Sequence, residues 1–168
     1  MSRSGEFFEF FPETATASLD TDPIDVASTH TKVSILQNAV SFDEELLLFS
    51  EQSQFMVTGG ATLTASNISI NVTTEFEADK KVKPVGSGSN VFFTFNKGNF
   101  SGVREFFVAS DTDTKKADDI TANVPKFVPA NVFKLATSTT ENILIALSSD
   151  EDNALYVFQY LSLIHISE

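Results

Sequence analysis

The chain has 168 residues, long enough for one domain with a core of its own, and 42% of them are apolar, so it is globular rather than disordered. It has no cysteine, which excludes disulfides, thiolate metal sites and thiol catalysis, and its two histidines, His30 and His165, are too few for a His-rich metal centre. A net charge of −12 gives a surface that repels phosphate, which argues against a sequence-independent grip on nucleic acid.

Seventeen Phe against two Tyr and no Trp mean a core built on benzene rings, which fill the gap between sheets and ask for no hydrogen-bond partner. No apolar run approaches the roughly 20 residues that span a bilayer, and no signal-peptide h-region opens the chain. In chain order, Ser2-Arg3-Ser4-Gly5 reads as a turn and Glu6-Phe7-Phe8-Glu9-Phe10-Phe11 as a strong strand. A turn this early has no first strand to connect, so the expectation is that the beginning of the protein is missing. Residues 12–31 form a loop rich in Thr, Ser and Asp. Asp20, Asp22 and Asp25 there resemble a Ca²⁺ loop but lack its Gly and distal Glu, and an Asx-Pro turn is the expectation.

Residues 32–42 are ambiguous between strand and short helix. Residues 46–49 are a continuous apolar run, Ser50-Glu51-Gln52-Ser53 a turn, and 54–57 a returning strand. After Gly59-Gly60, residues 61–74 alternate, with Ile68, Ile70 and Val72 on one side and Ser69, Asn71 and Thr73 on the other. That completes a four-strand set over about 33–76, the content of one propeller blade. Lys80-Lys81-Val82-Lys83-Pro84 reads as a solvated connector. Gly86 and Gly88 lack the third Gly and the following helix of a phosphate loop, so nucleotide binding is rejected. A second hairpin runs from 90–95 through 96–99 into 103–108. Residues 111–119 read as an acidic loop, and 115–124 as one or two helical turns stopped by Pro125. A last hairpin joins 143–147 to 154–158. The acceptor triplets at Asn67, Asn71 and Asn99 are treated as chance.

The leading aromatics Phe7, Phe55, Phe106 and Tyr156 stand 48, 51 and 50 residues apart. A period of about 40–50 residues carrying hairpins is the sign of propeller blades, whereas a β-sandwich need not keep one. The fold expected is all-β: antiparallel hairpin repeats forming a partial β-propeller of about three blades, with at most one short helix. The carboxylates cluster in turns, neither His has a catalytic frame, and no nucleophile motif is present, so no catalytic, cofactor-binding or metal-ligating residue is assigned.

Across residues 2–161 the chain resembles the tail tubular protein B family, the nozzle proteins of short-tailed bacteriophages. The resemblance is carried by Ser2-Arg3-Ser4-Gly5 with Phe8, Phe10 and Pro12; by Asp22-Pro23-Ile24-Asp25-Val26-Ala27; and by Glu44-Glu45-Leu46-Leu47 with Gln54-Phe55. It continues through Thr73-Thr74-Glu75-Phe76, Pro84-Val85-Gly86 with Gly88, Asn90-Val91 and Phe93, and Ala117-Asp118-Asp119-Ile120-Thr121. Val124-Pro125, Pro129 with Val132-Phe133, and Thr140-Glu141-Asn142 complete it. No one motif is diagnostic; their order and spacing together are.

The resemblance implies a non-enzymatic virion part, assembled in the host cytoplasm and placed in the tail. It implies a homo-oligomeric ring of six copies below the portal and adaptor protein, tail fibres attached near that junction, and DNA passing through without specific binding. Walls that repel phosphate suit such a passage. Family members are several times longer, so residues 1–161 are expected to be an internal propeller fragment. Residues 162–168 resemble the translation of a sequencing-library adapter end and are expected to be non-native. The alternative is a stand-alone β-rich domain that binds carbohydrate or a cell surface.

Overall fold

The computed structural model describes residues 2–13, 18–26, 35–60, 62–110 and 112–160, and every regular element among them is a β-strand. The first sheet is a meander of β1 (Asn38–Phe42), β2 (Glu45–Phe49), β3 (Gln54–Thr58) and β4 (Ser69–Thr74), each antiparallel to the next. Asp43 and Glu44 turn β1 into β2 in the left-handed region, at φ 47° and 64°, as a two-residue hairpin of matching twist requires. Ser50 closes the next turn. Its Oγ accepts the Ser53 N–H at 3.0 Å and donates to the Ser53 carbonyl at 2.9 Å.

The ambiguous stretch before this sheet therefore resolves as strand over Asn38–Phe42, with 32–34 outside the described residues. The alternating stretch 61–74 shortens to β4. Residues 62–67 turn instead, because the Asn67 side chain accepts the Thr64 N–H and donates to the Thr62 carbonyl, both at 2.8 Å. In β3, Gln54, Phe55, Met56 and Val57 are all buried, so both faces of that strand are covered.

The second sheet is β5 (Val85–Ser87), β6 (Asn90–Lys97), β7 (Phe100–Ala109) and β8 (Thr114–Asp119), with β9 (Val128–Pro129) pairing the first residues of β7. Gly98, at φ 69°, turns β6 into β7. The acidic loop and helical turns expected over 111–124 are absent among the described residues. Thr114–Asp119 instead pairs with β7 from Ala109 back to Arg104, and only then does the chain turn. Ala117 lies in the core at 4% exposure, and the Asp119 carboxylate accepts the Thr121 N–H at 2.9 Å and its hydroxyl at 2.6 Å to make the turn. Pairing along the open edge of β7 stabilises this segment more than its lysine, alanine and aspartate residues would gain from an isolated helical turn.

The third sheet is β10 (Val132–Ser138), β11 (Ile143–Ser148) and β12 (Tyr156–Gln159). The segment 4–11 is not a strand. It folds on itself through Arg3 N–H to the Glu9 carbonyl at 2.8 Å and short turns at Glu6 and Glu9, leaving Phe7 82% and Phe8 87% exposed. High β-propensity forms no strand where no sheet edge is offered.

The second sheet is the middle layer and is buried on both faces. Val91, Phe93, Phe106 and Ala117 pack against Phe42, Leu47, Phe49 and Met56 of the first sheet. Phe106 meets Phe42 edge-on at 5.1 Å and Phe93 meets Phe49 at 5.2 Å between ring centroids. On the other face Phe92 and Val103 pack against Val132, Leu135, Leu144 and Ala146 of the third sheet. Phe49, Phe55, Phe92, Phe93 and Phe106 are fully buried, and at about 1.5–3 kcal/mol each they contribute heavily to stability. Three successive meanders stacked face to face make a partial, three-bladed β-propeller. Phe55, Phe106 and Tyr156, the periodic marks, sit on the third strand of each blade; Phe7 does not belong to the series.

Candidate assembly surfaces

The first strands of the three blades, β1, β5 and β10, run side by side. Thr137 Oγ1 donates to the Gly86 carbonyl at 3.0 Å, and a Cβ at Gly86 would lie 3.7 Å from Val40 Cγ1. Gly86 thus marks the line on which the blades converge, the position of a propeller axis.

Because the strands alternate in direction, their connections gather at two ends. At one end Asp43, Glu44, Glu45 and Asp113 line an open cleft with Lys115, whose Nζ reaches Glu45 at 2.8 Å. At the other, Glu51, Glu75, Glu77 and Asp79 line a cleft with Lys80 and Lys81. Lys80 donates to Glu51 at 3.0 Å and, through that bond first, holds its carboxyl below the ordinary range. The basic cluster is therefore partly paired, and its Val82 is a core residue at 1% exposure rather than solvated. Both ends carry more carboxylate than cation, which repels a polyphosphate.

Asp22, one of the three aspartates read as a turn, is 4% exposed and accepts the N–H groups of Leu19 at 2.8 Å and Glu13 at 3.1 Å. These backbone bonds hold its carboxyl below the usual range. Its oxygens serve the turn. His30 and His165 lie outside the described residues, as do 162–168.

Several joints escaped sequence reasoning. Glu105 accepts from Asn90 Nδ2 at 2.5 Å, yet burial first, and Asp118 after it, push its carboxyl up. Arg104 is stacked between Phe76 and Phe95, its guanidinium carbon 4.1 and 4.7 Å from their centroids, and Nη1 donates to the Ala117 carbonyl at 3.1 Å. Ser87 and Tyr160 share a hydroxyl–hydroxyl bond between the second and third blades. The Tyr156 phenol, hydrogen-bonded to Glu151, is pushed up to about 12 and stays protonated, so it offers no base. The joints between strands have no local pattern to announce them: Asn90 and Glu105 are 15 residues apart, Ser87 and Tyr160 73.

The outer face of the third sheet mixes apolar residues with Lys134, Ser138 and Gln159. Ala136, Ile145 and Val157 form one cross-strand row on the side away from the second sheet, flanked by Ile143 and Leu147. Val157 is 48% and Leu155 66% exposed.

The family model for the bacteriophage nozzle protein matches residues 1–164. The chain is 35% identical to tail tubular protein gp12 of Escherichia phage T7 over 164 residues, which is 97% of this chain and 21% of that relative. It therefore spans about a fifth of the relative's length. With a whole-chain family match over an all-β frame of three stacked meanders, this chain belongs to the bacteriophage nozzle protein family.

Proposed function

We propose that the chain is a wall segment of a phage tail nozzle, a non-enzymatic part of the tube through which DNA is ejected. The observation that carries this is the stack of three meanders converging at Gly86, a piece of a propeller wall whose two ends are acidic. Such a surface holds no phosphate, so DNA slides past it rather than sticking. In the virion, six copies of the full-length polypeptide surround the passage, in contact with the adaptor protein above and the tail fibres beside it. Copies await assembly in the host cytoplasm. The segment 1–161 is one part of that longer polypeptide; the family match runs on to residue 164, so at most residues 165–168 are foreign to it.

The test is native mass spectrometry of the full-length protein, with electron microscopy of tails labelled through it. A six-fold ring seated in the tail is expected. A full-length protein that stays monomeric and never enters virions would overturn the proposal. DNA retention by the protein at low salt would remove its electrostatic part.

A further inference from the structure

The second sheet turns Phe92 and Val103 toward the third blade, where both are buried in the apolar core. Glu105, the register partner of Phe92, brings a carboxyl to the same face. It is half-buried at the wall of a notch of about 280 Å³ that opens along the seam between the two blades. One side of the notch is the β5–β6 turn, with Ser87, Ser89 and Asn90, and the other is the β10–β11 turn, with Thr139 and Asn142. Tyr160 completes the lining and ties into the second turn, its N–H donating to the Asn142 carbonyl at 2.9 Å. The volume suits one side-chain head rather than a drug-sized ligand.

The donors of this notch are largely spent. Asn90 Nδ2 is committed to Glu105 at 2.5 Å, and the Ser87 and Tyr160 hydroxyls to each other. The Tyr160 ring packs on Phe92 at 5.3 Å between centroids. Acceptors remain open: the second Glu105 oxygen, the Thr139 hydroxyl, and Asn90 Oδ1, which takes only a 3.4 Å bond from Ser89. Charge points the same way. Asp118 stands directly across from Glu105 in the β7–β8 register, so two carboxylates share one face. Among the described residues no lysine or arginine forms an ion pair with either, Lys116 two residues along β8 included. Burial first, and Asp118 after it, push the Glu105 carboxyl up, the response of a carboxylate without a counter-ion.

We propose that the seam between the second and third blades receives a guanidinium head, presented by an arginine of a partner protein, with Glu105 as its counter-ion. A guanidinium carries five N–H donors in a fixed plane and gives up its hydration more readily than an ammonium. It supplies the donors and the charge that the notch lacks, and a net charge of −12 steers a basic partner toward the chain. The two end clefts carry more carboxylate, but there Glu45 and Glu51 already hold Lys115 and Lys80. The inference stands whether or not the chain is a nozzle wall.

The test is an NMR titration of the 168-residue chain with methylguanidinium, with methylurea as its neutral isostere. Shifts at the backbone amides of residues 87–90 and at the Asn142 side chain should saturate at lower probe concentration than shifts in the two end clefts. Methylurea should give none. Glu105→Gln keeps an oxygen for Asn90 and should weaken methylguanidinium roughly tenfold, the worth of a charge-assisted bond. Asp118→Asn, at an exposed position, should leave the spectrum otherwise unchanged and weaken the probe by a smaller factor. If Glu105→Gln unfolds the chain, Asp118→Asn decides alone. Seam affinity that neither variant lowers would overturn the proposal. Equal binding of methylurea or glucose would make the notch a neutral polar pocket, and displacement of the probe by calcium would make it a metal site; either result overturns it. Tighter binding of methylammonium would assign the notch to lysine and overturn the choice of arginine.

Discussion

Replacing Gln54 by Leu tests whether the joints described above hold the blade together. Gln54 is fully buried at the start of β3, where the register with β4 shifts by one residue. Its Nε2 donates to the Phe76 carbonyl at 2.9 Å, and its Oε1 accepts the Thr74 hydroxyl at 2.6 Å and the Phe76 N–H at 3.4 Å. Leucine has a similar volume and no polar atom, so little cavity forms, but the Thr74 hydroxyl and the Phe76 carbonyl lose their partner in a dry environment. A buried group left unsatisfied costs about 1–3 kcal/mol, so Gln54→Leu should lose about 2–4 kcal/mol. For a domain whose whole stability is about 5–15 kcal/mol this is a large fraction. It corresponds to a fall of roughly 5–15 °C in Tm at this chain length. The assay is urea unfolding followed by circular dichroism, where the midpoint should fall with the slope unchanged. Adding Thr74→Val, which removes one orphan, should recover about 1 kcal/mol relative to additivity. A loss under about 0.5 kcal/mol for Gln54→Leu would refute the reasoning, since the bonds would then have been replaced by water.

Gly102 faces the Phe95 ring, and a Cβ there would sit 2.3 Å from its Cζ. Gly102→Ala should therefore cost about 1–3 kcal/mol in thermal unfolding by displacing the ring, and pairing it with Phe95→Leu should cost less than the sum. Arg104→Lys keeps the charge but loses the planar stack between Phe76 and Phe95; a loss of about 1–2 kcal/mol is expected, and equal stability would show the stack to be idle. Glu105, raised above its ordinary 4.5 chiefly by burial, retains a proton in the fold that the unfolded chain has released. Its contribution is complete below that ordinary value and is lost as pH rises through the folded pKa. Thermal melts from pH 4 to 8 should show Glu105→Gln gaining on the parent as pH rises; parallel curves would exclude the effect.

The hairpins were legible because each is a local object. Leu46 to Phe49 and Gln54 to Val57 are joined by a four-residue turn whose Ser50 supplies its own hydrogen bonds, and a window of twelve residues contains everything that matters. What could not be read was anything decided by a neighbour far along the chain. Thr114 to Asp119 looks polar and helix-tolerant alone, and became a strand because β7 had an edge to fill. The Phe-rich segment 4–11 looks like a strand and is none among the described residues, because no edge lies beside it. The same physics explains both: a strand belongs to a pair.

The segments that carry the family resemblance lie at joints. Gln54 and Phe76 meet through the bonds above. Gly86 sits on the converging line, where a Cβ would lie in ordinary contact with Val40. Thr121 Oγ1 accepts the Val103 N–H at 3.2 Å while donating to Asp119, whose carboxyl Lys97 also grips at 2.7 Å. Burial works against the Asp119 charge, but Lys97 and Thr121 outweigh it and hold its carboxyl low. Asp22 ties the N-terminal loop into a turn. None of these residues aims a reactive atom at a cavity; each fixes where one strand sits relative to another. Fixed strand geometry of this kind requires no catalytic motif. The matching segments are turns, a buried amide and a glycine, so order and spacing carried the resemblance where no one motif did.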